Sequence, residues 1–357
     1  MAKNEDQVVM LEQTKSTIKL RGIVGGLTKK NAYREGTYEK GKLEGKDWRQ
    51  INFSLQTSKF NRIFVTLRGN EQDFVYPYKK GKDGEKGTTL KNYSFDDRHD
   101  LPEGYTLFGV NMYLEKDDEG ENVRTNLIDF DAVEYLYDNL NDGDSVFVKG
   151  EIVFSSYMKD EEKVDKTEFK ITSISRIQDI DFDAEDFKEM CSFEQDIVFI
   201  GSDVDKKEGV VYVTGRTIGY NNRFNDAVFV IRPEEDEQLK KLANVFGGKT
   251  LKFGDFMTIT GLCLNLAETV EEDEVPVESM FGGYTPNGFE KRTVTNYINE
   301  LRMTGAIDES YVKRKYKESD FEVPEFIEKA KDNENPLTGL KTDVDDSEDI
   351  NDEDLPF

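Results

Sequence analysis

Cysteine and histidine are nearly missing from these 357 residues. Cys191 and Cys263 are the only cysteines; they fit no metal-ligand spacing and argue against a disulfide framework. One histidine, His99, leaves a zinc site or histidine-dependent catalysis with little material. No run of 18 apolar residues occurs, nor a charged-then-apolar leader, so neither a membrane span nor secretion is expected, and the expected setting is the cytoplasm. No Walker-type phosphate loop is present. The many Asp and Glu form no spacing that separates a metal site from a solvated surface. Neither catalysis, metal nor cofactor is expected. Positive charge is also short: 48 Lys or Arg stand against 74 Asp or Glu, a formal net of −26.

That deficit is unevenly spread, and an approaching ligand feels the distribution rather than the sum. From Lys15 to Lys91 there are eighteen Lys or Arg against eight Asp or Glu, a net of +10. Met1 to Thr14 carries −2 and Asp332 to Phe357 carries −9, which leaves about −25 on Asn92 to Lys331. The sequence is a basic head on an acidic body.

Hydrophobic residues mostly recur with period two, the signature of half-buried antiparallel strands. Ile18, Leu20 and Val24 share one face of "TIKLRGIVGG"; Ile51, Phe53 and Leu55 share one of "INFSLQ"; Ile63, Val65 and Leu67 share one of "RIFVTLRG". "DAVEYLYDNL" changes period, with Val133, Leu136, Tyr137 and Leu140 at helical spacing. Alternation returns in "GDSVFVKGEIVF" and "TEFKITSIS". Three strands, a helix and two strands is the order of an OB-fold, a five-stranded Greek-key barrel. The stretch from Arg68 to Asp131 exceeds what such a barrel needs and reads as an insertion.

A second copy is indicated by an internal repeat. "GDSVFVKGEI" from Gly143 aligns with "GDFMTITGLC" from Gly254 at an offset of 111, equating Gly143 with Gly254, Asp144 with Asp255 and Gly150 with Gly261. Before the second copy come "EGVVYVTGRTIGY" and "NDAVFVIRP" as strands, then a helix with Leu239, Leu242, Ala243 and Phe246. After it comes the strand "TNYINELRMTG". "DIDFDAEDFKEM" reads as an acidic linker with local helix, "ETVEEDEVPVESMFGGYTPNGFEKR" as a long exposed loop, and "DESYVKRKYKESDFEVPEFIEKAK" as one or two short helices. The expected fold is therefore mainly β. It comprises a flexible N-terminus (1–14), an OB-fold domain (15–180), a linker (181–193), an OB-fold-like domain (194–307), a short helical segment (308–331) and a disordered acidic tail (332–357).

The outward positions of the head suggest a ligand. Phe64 shares the polar face of its strand with Arg62 and Arg68; Trp48 shares one with Gln50, Asn52 and Ser54; Lys19 and Arg21 point out of the first strand. The loops add Lys29, Lys30, Tyr33, Arg34 and Tyr38, and further on Tyr76, Tyr78, Lys79 and Lys80. Aromatics interleaved with cations suit single-stranded nucleic acid, because each base offers a π-face for stacking and each phosphate needs a positive partner. Tyrosine also serves at strand edges and protein interfaces, so the reading rests on the constellation. In the second domain Arg216, Tyr220, Arg223, Phe224 and Arg232 could form a lesser face, or that domain packs against another subunit or scaffolds.

The last residues, "DVDDSEDINDEDLPF", place an aromatic at a free end behind a run of acids. Like charges keep such a segment extended, so Phe357 is not buried by its own tract. Asp352, Glu353, Asp354, Leu355, Pro356 and Phe357 fit a docking peptide, with a pocket for the ring and basic contacts for the acids. OB-type strands, the "GDSVFVKGEI" strand entry and the terminal "DEDLPF" together resemble bacterial single-stranded DNA-binding proteins. The tip match covers only Asp352 to Phe357, and the strand entry is a looser second match. Two candidate domains, a large insertion and a short acidic linker depart from the single compact domain and long Gly/Gln/Pro-rich linker usual there, a divergence that suits a bacteriophage-encoded version.

The resemblance implies a non-enzymatic protein that coats single-stranded DNA without sequence preference in replication, recombination or repair and recruits partner proteins through the tip. It implies location in a bacterial cell or phage-infected host, at the nucleoid, with a homodimer among the possible assemblies. Two other readings stay open: a replication or recombination adaptor acting mainly through protein contacts, and an acidic mimic of DNA that inhibits host proteins.

Overall fold

The computed structural model describes residues 10–81, 86–159, 162–233, 236–271, 275–278, 284–290 and 293–322. The chain is mainly β. The first half contains β1 (Ser16–Gly25), β2 (Tyr33–Thr37), β3 (Asp47–Gln56) and β4 (Arg62–Asn70). Four two-residue strands follow, β5 (Phe74–Val75), β6 (Tyr78–Lys79), β7 (Thr88–Thr89) and β8 (Tyr93–Ser94), then β9 (Val110–Lys116) and β10 (Asn122–Leu127). The half closes with α1 (Asp129–Asn139), β11 (Ser145–Lys159) and β12 (Glu162–Arg176). The second half contains β13 (Met190–Asp205), β14 (Val210–Gly219), β15 (Arg223–Ile231), α2 (Glu237–Gly247), β16 (Phe256–Glu271), β17 (Val275–Glu278), β18 (Tyr284–Glu290) and β19 (Thr293–Val312).

Pairing closes each half on itself. β1 pairs antiparallel with β3 from Ile23↔Gln56 to Gly25↔Ser54, and β3 pairs antiparallel with β4. β4 runs parallel to β12 at Val65↔Phe169, β12 pairs with β11, and β11 returns to β1. The circuit β1-β3-β4-β12-β11 is the five-stranded OB barrel, with α1 between its third and fourth strands. The second half repeats it as β13-β14-β15-β19-β16, including one parallel contact at Val230↔Arg302, and carries α2 in the place of α1. Inward alternation fills both interiors: Ile18, Leu20, Ile51, Leu55, Leu67, Phe193, Phe229 and Ile259 are all buried in one continuous core. Asp236 caps α2, its carboxylate accepting from the Gln238 and Leu239 amides, a cap worth about 1 kcal/mol.

The 111-residue repeat holds at the level of single hydrogen bonds. Gly143 N donates to Val24 O (2.8 Å) while Val24 N donates to Asp144 O (2.9 Å); Gly254 N donates to Phe199 O (3.0 Å) while Phe199 N donates to Asp255 O (2.7 Å). Gly150 and Gly261 sit at matching register shifts. A Cβ would lie 2.1 Å from the Lys170 carbonyl oxygen at the first and 2.2 Å from that of Arg302 at the second, so only glycine lets the neighbouring strand approach.

The barrels are joined through their backbone. β1 pairs along its first half with β13, from Ser16↔Gln195 to Arg21↔Met190, before turning to β3. Asn61, fully buried between the barrels, donates to Glu189 Oε1 (2.8 Å) and to the Cys263 carbonyl (3.1 Å) and accepts from the Asn265 amide (2.9 Å).

Four local expectations change. The linker after Arg176 has turns rather than helix, with the Phe182 and Phe187 rings packed at 5.3 Å. Much of the acidic stretch expected as loop is strand: β16 and β19 stay paired out to Glu271↔Thr293, and β17 pairs with β18. Backbone pairing holds these segments, so apolar alternation is not required of them. Asp308 to Val312, expected to be helical, continues β19, and a 3-10 turn follows at Glu318–Phe321. Residues just before β1, expected to be flexible, bond to the second barrel: Thr14 N donates to Ile218 O (2.9 Å) and Leu11 N to Asn222 Oδ1 (2.9 Å). The tail from Asp332 lies outside the described residues.

Candidate nucleic-acid interface

On the outer face of the first barrel, register sets side chains in rows across β2, β3 and β4. Arg34, Gln50 and Arg68 form one row; Gly36, Trp48 and Asn70 the next. Asn52 lies opposite Thr66, Ser54 opposite Phe64, and Gln56 opposite Arg62. Because side chains alternate, each row is on the face away from Ile51, Phe53 and Leu55. Phe64 is 54% exposed and Trp48 half-buried. Among the described residues no ion pair engages Arg34, Arg62 or Arg68.

Arg68 is held by rings rather than by a carboxylate. Its guanidinium carbon lies 4.6 Å from the Trp48 ring centroid and 5.7 Å from that of Tyr38. Its Nη2 donates to the Tyr38 hydroxyl (3.0 Å), which in turn donates to Asn70 Oδ1 (2.8 Å). Tyr38, expected to be a contact residue, is therefore a support: it is 6% exposed because its ring closes behind Arg68.

The insertion abuts the end of this face. Tyr76 is exposed, Phe108 is 70% exposed, and the half-buried Tyr78 ring lies 5.2 Å from Phe108. A cavity of about 280 Å³ opens between them and the end of β4 at Arg68 and Asn70. Its walls rest on a small separate core of Val75, Phe95, Leu107 and Phe130. Lys80 is exposed beyond it, and Lys79 is tied back, its Nζ donating to the Glu103 carbonyl (3.1 Å).

Several expected residues lie elsewhere. Tyr33 sits on the opposite side of β2 from Arg34, its ring 4.8 Å from that of Tyr137 on α1 and its hydroxyl donating to Glu35 (2.7 Å). Burial first, then the bond to Glu35, pushes its pKa up to about 12. Lys19 faces Glu194 at 3.7 Å on the strand joining the barrels. Arg21 donates to the Lys188 carbonyl and stacks over Phe187, under the linker. Lys29 and Lys30 are exposed in the loop before β2, where Asp142 anchors Leu27 N (2.8 Å) and Thr28 Oγ1 (2.9 Å) and the Ala32 carbonyl accepts from Asn52 N (2.7 Å). The tip residues Asp352 to Phe357 fall outside the described residues.

Among the exposed rings that escaped the sequence reading are Phe108 and Phe60, the latter 67% exposed in the β3–β4 turn. Neither sits in an alternating run, so no periodicity marks it. Lys170, beside Thr66 on the same face, was missed too. Burial works against its charge, but Asp129 (3.1 Å) and Glu151 (3.7 Å) outweigh burial and hold its pKa above the ordinary value.

The second barrel offers a matched surface. With Val24 equated to Phe199, Gln56 falls on Arg216, Arg62 on Asp226, Phe64 on Val228 and Arg68 on Arg232. Arg216 binds Asp226 through two bonds of 2.6 and 2.7 Å, and those bonds raise its pKa against burial. Arg232 is gripped by Glu300 (3.1 Å) and faces Glu208 (3.7 Å). Phe224 packs on Phe321, 5.0 Å between centroids, under the segment that follows β19. Tyr220 and Arg223 remain exposed.

Among the described residues no three potential metal ligands gather, and no helix is long and apolar enough to cross a membrane. No curated protein sequence matches this chain. Among solved structures, a wild-type single-stranded DNA-binding protein from Thermus aquaticus is similar at 11% identity and a TM-score of 0.35, covering 75% of this chain and 98% of its own. A deletion mutant of the Thermus aquaticus protein gives 11% identity and a TM-score of 0.33, covering 71% of this chain and 88% of its own. Likeness of that degree carries nothing about what this chain binds. A family model does span most of the sequence, matching residues 22–336, and the chain belongs to the YorF family.

Proposed function

We propose that this protein binds single-stranded DNA across the β3–β4 face of its first barrel and performs no chemistry on it. The observation that carries this reading is one surface with three arginines that form no ion pair among the described residues, Arg34, Arg62 and Arg68, beside the exposed ring of Phe64 and the half-buried ring of Trp48. Guanidinium groups without a carboxylate partner meet phosphates without first breaking an ion pair, and the rings offer stacking to any base. Asn52 and Thr66, half-buried and tied together by the buried Gln50 amide (3.0 and 3.4 Å), supply neutral hydrogen-bonding groups between them. The strand is protected in replication, recombination or repair, in a bacterial or phage-infected cell. The tip from Asp352 to Phe357 recruits partner proteins through its terminal ring and acids.

The test is a fluorescence-anisotropy titration of the full chain with oligothymidylates of increasing length, against duplex of the same length, over a salt series. Contact with about four to six phosphates gives a log-log salt slope of roughly −3 to −4 and preference for the single strand. A slope near zero, or equal affinity for duplex, overturns the reading. Deleting Asp352 to Phe357 should abolish capture of replication or repair proteins and leave DNA affinity equal or higher.

A further inference from the structure

The cavity at the end of β4 differs in kind from the flat face beside it. A flat face stacks any base; a cavity takes one base out of the row and meets its edge. Its apolar floor comes from Val75 and Leu107, both buried, and its rim from the exposed rings of Tyr76 and Phe108. Its polar lining includes Arg68 and Asp129, and the two are complementary in charge. Arg68 makes one hydrogen bond among the described residues, from Nη2 to the Tyr38 hydroxyl, so its other N–H groups are open to a ligand. Asp129 meets Lys170 through Oδ2 (3.1 Å), and among the described residues Oδ1 has no partner.

We propose that this cavity is a nucleobase subsite that selects guanine within the bound single strand. The inference rests on single-strand binding by the first barrel and adds to it a place where sequence is read. Arginine donors match the O6 and N7 acceptors of guanine, a pairing no other base offers. The Asp129 carboxylate matches the N1–H and N2–H groups on the same ring. Phe108 and Tyr76 stack on the base as it enters. The cavity is continuous with the cationic rows through Arg68 itself, so a strand crossing β3 and β4 passes its mouth.

The experiment compares, for the full chain, an all-thymidine oligomer with oligomers carrying one central dG, dA or dC. The dG oligomer should bind about fivefold or more tightly than the others. Asp129→Asn, which keeps the shape of the side chain and removes one of the two acceptors for N1–H and N2–H, should bring the dG oligomer to within about twofold of the others. Phe108→Ala should instead weaken all four alike without lowering the melting temperature, since the ring is exposed. Equal affinity of all four for the unaltered protein overturns the subsite and leaves single-strand binding standing. A dG preference that survives Asp129→Asn in full also overturns it. Failure of every oligomer to bind overturns both readings.

Discussion

Arg62 and Arg68 on the first barrel occupy the positions of Asp226 and Arg232 on the second, and Phe64 that of Val228, equally exposed at 54%. The scaffolds agree down to the paired hydrogen bonds at Gly143 and Gly254, so fold alone does not distinguish the two surfaces. The difference is where the arginines' counter-charges come from. On the second barrel Asp226, Glu300 and Glu208 supply them from within, and a guanidinium so engaged must lose a charge-assisted bond before it meets a phosphate. On the first barrel Arg68 leans on rings, and among the described residues Arg34, Arg62 and Arg68 meet no carboxylate. A binding surface on a common fold is thus made by leaving charges unpaired as much as by adding them.

The largest break in that comparison comes from removing the unpaired charges together. Arg34→Ala, Arg62→Ala and Arg68→Ala combined should weaken single-strand binding by about 3 kcal/mol near 0.1 M salt and reduce the salt slope by about two. Arg216→Ala with Arg232→Ala should change neither, measured by anisotropy in the same salt series. Next comes stacking: Phe64→Ala should cost roughly 1 to 3 kcal/mol of binding, while Val228→Ala, its counterpart, costs none. Thermal melts alongside separate lost stacking from lost folding.

A smaller gain is expected from Asp226→Asn, which releases Arg216 while keeping the shape of its partner. Affinity should rise by under about 1 kcal/mol and the slope steepen by roughly 0.7, as for one added phosphate contact. An unchanged slope would show that the ion pair does not keep the second barrel silent. The smallest effect concerns Tyr33, whose pKa is raised from 10.0 to about 12 by burial and Glu35. The fold favours the neutral phenol, so its contribution to stability is complete below pH 10 and is lost as pH rises to about 12. Tyr33→Phe should flatten alkaline destabilisation in that window, read by denaturant melts, and leave DNA affinity unchanged because the ring faces α1.

Ile51, Phe53 and Leu55 announced both the interior of the first barrel and, by exclusion, the outer row of Gln50, Asn52 and Ser54. The corner shared by Gly143 and Gly254 was readable because its chemistry is local: a glycine at positive φ, then an aspartate. What stayed hidden depends on partners distant in sequence. Arg232 meets Glu300 across 68 residues, and no spacing within either strand announces it. Tyr33 and Arg34 are adjacent on a five-residue strand, too short for alternation to say which faces the barrel rows. Tyr38 looked like a loop aromatic until Arg68 and Asn70 enclosed its hydroxyl.

The division of β1 between two partners bears on how the chain is made. Residues from Ser16 to Arg21 complete their ladder only with β13, which begins at Met190. On the ribosome, the first barrel is complete at Arg176, before β13 has followed, and until it does β1 presents an open edge of unpaired amides and carbonyls. Asn61 likewise waits for Cys263 and Asn265, more than 200 residues downstream. A chain cut after the first barrel therefore keeps a sticky strand edge and a stranded amide. Synthesis of the second barrel finishes the first.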